Sequence, residues 1–116
     1  MEFICYSKCT TCKKAQKYLD NHSIKYEERD IKTKNPTKKE LMYWITKYDL
    51  NVDKLFNTSG LLYRSMNLKD KLKSMSDSEK LELLSSDGML VKRPIVVSKD
   101  KVLVGFNEKE WDEYFK

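Results

Sequence analysis

The chain opens on a short apolar run, Glu2-Phe3-Ile4-Cys5-Tyr6, bounded by Ser7-Lys8. A run of this length closed by turn residues predicts a strand buried on both faces. From Thr10 the period changes: Ala15, Tyr18 and Leu19 recur at helical spacing with Lys and Gln between them, and Asn21-His22-Ser23 supplies a stop. Ile24 to Ile31 alternates as a second strand. Two strands joined this briefly through one helix predict a right-handed parallel βαβ unit.

The next stretch is helical in period. Asn35-Pro36 is a turn, and Thr37 with Glu40 makes a capping box before Leu41, Trp44, Ile45 and Tyr48. Between Asn51 and Asp87, leucines recur in short helical patches, the last opening at Ser76-Asp77 and stopping before Asp87-Gly88. No strand pattern occurs there, so the middle reads as a helical insertion. Ile95 to Ser98 and Lys101 to Gly105 are β-branched runs joined by Lys99-Asp100, a hairpin pattern. Asn107 caps a closing helix that carries Trp111, Tyr114 and Phe115 and runs to Lys116. The predicted order is β-α-β, helices, β-β-α.

At 116 residues the chain has the size of one domain and is too short for a TIM barrel. With 40% hydrophobic and 35% charged residues it reads as a soluble globular protein. No apolar run approaches the length of a membrane helix, and Met1 to Tyr6 lacks the features of a secretory leader, so a cytoplasmic protein with no membrane partner is expected. The net charge of +5 is interspersed, as in Lys25-Tyr26-Glu27-Glu28-Arg29-Asp30. Nucleic-acid binding needs a clustered basic face, so no direct nucleic-acid contact is expected.

The chemistry concentrates near the start, where all three cysteines, Cys5, Cys9 and Cys12, stand. An odd, crowded set cannot form a secreted disulfide framework; in a reducing cytosol it points to catalysis or metal binding. Cys9-Thr10-Thr11-Cys12 follows a strand and opens a helix. That placement puts Cys9 at a helix N-terminus, where unpaired N–H groups favour the thiolate. Cys12, one turn on, is placed to attack a mixed disulfide at Cys9 and release the product, the role of a resolving thiol. Against this stands the simpler reading of two small helix residues. Cys5, inside the first strand, reads as a small buried hydrophobe.

A metal is not expected. The spacing C-x3-C-x2-C resembles that of radical adenosylmethionine enzymes, but those need a longer partial barrel, and Cys5 is held in a strand. A zinc site wants four ligands, and the only imidazole, His22, lies about 15 Å from Cys12 by helical rise. The second constellation is Lys92-Arg93-Pro94-Ile95 before the hairpin. Proline at a strand's first residue is an ordinary edge start. In a thioredoxin-like fold, the same position carries a cis X-Pro bond facing the active-site cysteine, and Arg93 then brings a permanent charge able to hold an oxyanion.

Tyr6-Ser7-Lys8-Cys9-Thr10-Thr11-Cys12-Lys13-Lys14-Ala15, Tyr26 to Ile31, Phe56-Asn57-Thr58-Ser59-Gly60, Asp87-Gly88-Met89-Leu90, Arg93-Pro94-Ile95 and Val104-Gly105-Phe106 together resemble the arsenate reductase and Spx group of thioredoxin-like proteins across essentially the whole chain. The resemblance implies an α/β thioredoxin-like domain over residues 1–116, with a four-stranded mixed sheet and a helical insertion at roughly 34–91. It implies Cys9 as nucleophile, Arg93 before cis-Pro94 as the charge facing it, and Thr10 to Cys12 as the anion-binding turn. Thr10, Thr11 and Pro94 are then substrate-binding, with a redox disulfide between Cys9 and Cys12.

Glutaredoxin-linked members carry Ser where this chain has Cys12. Their further oxyanion-binding arginines fall here at Gly60 and near Phe106, with Arg64 about one helical turn away. Arsenate reduction is therefore less strongly implied than thiol–disulfide exchange. The expected partners are a small thiol or oxyanion substrate and a thiol reductant, either a protein or a low-molecular-weight thiol such as glutathione, with no metal or organic cofactor. The Spx branch implies a different use of the same disulfide, as a switch controlling contact with the RNA polymerase α subunit.

Overall fold

The computed structural model describes residues 1–115; the predicted end of the closing helix, Lys116, lies outside them. The chain divides into two compact units, one formed by Met1–Asp30 with the residues from Arg93 onward, the other by Ile31–Lys92.

The first unit is built on a four-stranded mixed sheet of β1 (Glu2–Cys5), β2 (Glu27–Asp30), β3 (Ile95–Val97) and β4 (Val102–Val104), in the order β2-β1-β3-β4. β1 and β2 are parallel, with Cys5 opposite Asp30. β3 runs antiparallel to β1, with Ile4 opposite Ile95, and β4 completes the predicted hairpin. This is the mixed α/β architecture expected above.

β2 is shorter than its alternation suggested. Ser23 adopts a left-handed φ of 55° and Ile24 N–H returns to the Leu19 carbonyl at 3.0 Å, so the residues after the helix are spent on its C-terminal turn. The remaining Glu-Glu-Arg-Asp suits an edge strand, where charge discourages pairing with other chains.

Two helices, α1 (Thr10–Asn21) and α6 (Glu108–Phe115, its N-terminus capped by Asn107 as the Asn107 Oδ1 accepts Glu110 N–H at 3.0 Å), belong to this unit. Phe3, Ala15, Tyr18, Leu19, Val96, Leu103 and Trp111 make its core. Trp111 is fully buried and donates its indole N–H to the Gly105 carbonyl at 3.2 Å. The Tyr18 hydroxyl donates to Asp112 at 2.6 Å, joining α1 to α6. The two-residue period of β1 puts Cys5 on the same face as Phe3, packed against this core.

The second unit contains α2 (Lys38–Tyr48), α3 (Leu61–Ser65), α4 (Leu68–Lys71) and α5 (Asp77–Ser86), with 3-10 turns at Val52–Leu55, Leu72–Ser74 and Gly88–Leu90. Both predicted capping boxes form, Thr37 with Glu40 and Ser76 with Glu79. Leu41 and Trp44 of α2 and Leu81 and Leu84 of α5 are buried. Lys80 is only 9% exposed, with its ammonium 2.7 Å from Asp53.

The stretch read as free of strand pairing carries one antiparallel bridge between Phe56 and Val91, which leaves Asn57 N–H on the Leu90 carbonyl at 2.8 Å. Gly88 admits no side chain, because a Cβ there would fall 1.8 Å from the Ile31 carbonyl oxygen. Among the described residues no helix is long and apolar enough to cross a membrane.

Candidate active site

Cys9 directly precedes α1 with extended backbone (φ −94°, ψ 122°). Its N–H donates to the Tyr6 carbonyl at 3.0 Å, and its carbonyl accepts Lys13 N–H at 3.1 Å, so the cysteine loop is tied to the end of β1 on one side and to the helix on the other. No side chain caps α1, and its first turn holds no acidic residue. The partial positive charge of the helix start is therefore not answered from within that turn. Thr10 and Thr11 are exposed, and the Cys9 side chain is half-buried.

Cys12 is 2% exposed. Its sulfur accepts the Tyr6 backbone N–H at 3.3 Å. The hydrogen bond with Cys5, reinforced by burial, holds the proton on Cys12 well above the ordinary thiol range. The same bond favours the Cys5 anion and lowers its pKa, against burial and the charges of Glu28 and Asp30.

Cys5 packs as a hydrophobe against the core of the first unit, as expected, but is half-buried rather than fully buried. All three cysteines are free thiols. Among the described residues no group of three or more His, Cys, Asp or Glu side chains is arranged to hold a metal ion.

The antiparallel register explains how Arg93 arrives here. β1 and β3 pair Glu2 with Val97, Phe3 with Val96 and Ile4 with Ile95. Two residues further along the same register, Arg93 falls opposite Tyr6. The guanidinium carbon lies 5.3 Å from the Tyr6 ring centroid, a cation–π contact. The Arg93–Pro94 peptide bond is cis, and buried Pro94 accepts Gly105 N–H on its carbonyl at 2.8 Å.

Arg93 Nε and Nη1 are buried without a hydrogen-bond partner. Buried donors of a permanent cation are costly to leave unmade, and an oxyanion or carboxylate is the group that a guanidinium takes through charge-assisted N–H bonds.

Tyr6 is the residue that sequence reasoning missed. Its N–H serves Cys12, its carbonyl serves Cys9 and its ring supports Arg93. The only signal in the sequence was its place as the last apolar residue of the first run, where the main chain leaves the sheet ladder. His22 lies at the far end of α1, stacked on Tyr18 and bonded through Nδ1 to the Tyr18 carbonyl at 2.8 Å, so it is a helix-end residue as expected. Arg64 is exposed in the second unit, where it reaches the Ser59 carbonyl at 3.4 Å.

The family model for ArsC matches residues 5–114. The chain is 48% identical over 113 residues to YusI, an uncharacterized protein of Bacillus subtilis, covering 97% of this chain and 96% of that one. It is 31% identical over 102 residues to the global transcriptional regulator Spx of Streptococcus pneumoniae, covering 88% of this chain and 75% of Spx. Its fold matches the crystal structure of an ArsC family related protein from Bacteroides fragilis with a TM-score of 0.94 and 46% identity, covering 99% of this chain and 96% of that one. With nearly the whole chain matched, in sequence and in fold, this protein belongs to the ArsC family.

Proposed function

We propose that this chain is a cytoplasmic thiol–disulfide redox protein in which Cys9 is the nucleophile, Cys12 the resolving thiol and Arg93 the charge that holds the anionic part of the substrate. The Cys9 thiolate attacks one sulfur of a substrate disulfide. The substrate S–S bond breaks, a Cys9 mixed disulfide forms and one thiolate leaves. Cys12 then gives up its proton and attacks the Cys9 sulfur, closing a Cys9–Cys12 disulfide and releasing the second thiol.

The protein dithiol loses two electrons and the substrate gains them. A low-molecular-weight thiol such as glutathione, or a reductant protein, returns the pair to the dithiol state. Thr10, Thr11 and Pro94 border the bound group, and the cycle calls for no metal or organic cofactor.

The observation that carries this reading is the buried Arg93 guanidinium, with two donors lacking a hydrogen-bond partner, set over the ring of Tyr6, whose backbone bonds both cysteines of the motif. The test is turnover of a glutathione mixed disulfide by the full chain. Cys9→Ser is expected to be inactive and Cys12→Ser to stall as a covalent Cys9 adduct visible by mass. Full activity of either variant would overturn the assignment. The same donors suit a tetrahedral oxyanion, so arsenate with a defined thiol donor is the companion substrate.

The similarity to Spx favours one alternative, in which the Cys9–Cys12 disulfide acts as a switch for binding the RNA polymerase α subunit. Negligible turnover, together with redox-dependent binding to that subunit, would select it.

A further inference from the structure

Tyr6 meets the cysteines with its backbone and Arg93 with its ring. Its carbonyl accepts Cys9 N–H at 3.0 Å, and its own N–H donates to the Cys12 sulfur at 3.3 Å. The Arg93 guanidinium carbon lies 5.3 Å from the centroid of the ring. We propose that Tyr6, through this ring, is a positioning residue for Arg93 and sets a preference for substrate disulfides that carry a carboxylate over neutral ones. This rests on the reading of Arg93 as the charge that holds the anionic part of the substrate.

The chemistry of the neighbour matters. A carboxylate beside the guanidinium would hold it in place, but would also cancel its charge and take up its N–H groups. An aromatic face attracts the cation through its quadrupole and leaves the positive charge in force. Arg93 Nε and Nη1 are buried with no hydrogen-bond partner, as that arrangement requires. Both residues are half-buried, and loss of solvent strengthens a cation–π contact.

An arginine side chain has many rotamers, and one that is already oriented binds an anion at lower entropic cost. The strand register supplies the ring. With Ile4 opposite Ile95, Arg93 falls opposite Tyr6, the first residue beyond β1 and the start of the loop that leads to Cys9. The charge and the cysteine loop are thereby tied to one residue.

The probes are dithiodipropionate, which carries carboxylates, and hydroxyethyl disulfide, which carries none. The second-order rate at which each oxidises the reduced full-length protein is read by intact mass after acid quench and alkylation. The ratio of the two rates is the preference. Tyr6→Leu keeps the backbone groups but removes the aromatic face, and should lower the ratio by about threefold to tenfold; Tyr6→Phe keeps the face and should hold it within about twofold. In an Arg93→Met background, Tyr6→Leu should change the ratio by less than about twofold, because the ring acts through the guanidinium.

A Tyr6→Leu ratio equal to that of the wild type overturns the proposal, even if both rates fall alike, since the ring then has a structural role only. A Tyr6→Phe ratio as low as that of Arg93→Met overturns it as well, and this arm holds even if the leucine variant folds poorly. An undiminished effect of Tyr6→Leu in the Arg93→Met background overturns action through Arg93. If Arg93→Met itself keeps the wild-type ratio, the reading of Arg93 fails and the proposal with it. Oxidation that leaves Cys9 and Cys12 as thiols would instead overturn the redox reading itself.

Discussion

The Tyr6 backbone N–H lies 3.3 Å from the Cys12 sulfur, and this contact sets the depth at which the second cysteine of the motif is held. It explains why two cysteines a single turn apart are not equivalent. Cys9 is half-buried at the helix start, whereas Cys12 is 2% exposed and keeps its proton through Cys5 and burial. In the reduced protein, iodoacetamide at pH 8 should therefore label Cys9 at least about tenfold faster than Cys12. Peptide mapping reads the two rates, and equal labelling would mean that Cys12 opens to solvent.

Replacing Arg93 separates stability from binding. Its Nε and Nη1 are buried and unpartnered, so Arg93→Met should leave stability unchanged or raise it by about 1 kcal/mol, after loss of the Tyr6 contact is offset. The same variant should form a mixed disulfide with a carboxylate-bearing disulfide about tenfold or more slowly, and Arg93→Lys should recover only part of that loss. Urea denaturation and stopped-flow kinetics read the two effects. A large loss of stability would show that the guanidinium is paired in solution.

Tyr18 predicts an alkaline limb in the stability profile. Burial, then the hydrogen bond to Asp112, push its pKa up to about 12 from 10.0. The folded state thus keeps a proton that the unfolded chain has lost across this interval. Its contribution is complete below pH 10 and declines as the pH rises toward 12. Tyr18→Phe should be less stable by about 1 kcal/mol at neutral pH through loss of the Asp112 bond. The gap from wild type should narrow in melting curves taken above pH 10. A constant gap would contradict the assigned titration.

Gly88→Ala tests the second unit. The added Cβ would meet the Ile31 carbonyl oxygen at 1.8 Å, a backbone clash that no side-chain rotation relieves. A loss of about 2 kcal/mol or more is expected in urea denaturation. A loss of a few tenths would mean that the Ile31 carbonyl moves aside freely.

Lys80 and Asp53 give a contrast between breaking and replacing a pair. Lys80 is nearly buried while Asp53, 2.7 Å away, is half exposed, so Asp53→Ala leaves a partly screened ammonium without its partner and should cost about 2 kcal/mol. Lys80→Met removes the buried charge itself and should cost much less, and equal losses in the two variants would contradict this account.

Much of this protein is written in short-range pattern. Capping by Thr37 with Glu40 and by Ser76 with Glu79 depends on residues three apart, and the change from strand to helix after Tyr6 depends on period alone. The Cys9-Thr10-Thr11-Cys12 motif was legible for the same reason, since a helix beginning after Cys9 already implies one thiol at the helix start and a second one turn on.

The tertiary structure alone decided which distant residues meet. The Ile4–Ile95 register carries Arg93 onto Tyr6, and slipping it by one residue would turn every side chain of β3 to the other face. Cys5 reads as one more apolar residue of its strand; that it packs against α1 residues such as Ala15 and Leu19 follows only from the tertiary fold. The need for glycine at position 88 likewise exists only because the Ile31 carbonyl lies against it. Local pattern determines the elements and the chemistry each can bear, whereas strand register and packing determine which of those groups stand within reach of one another.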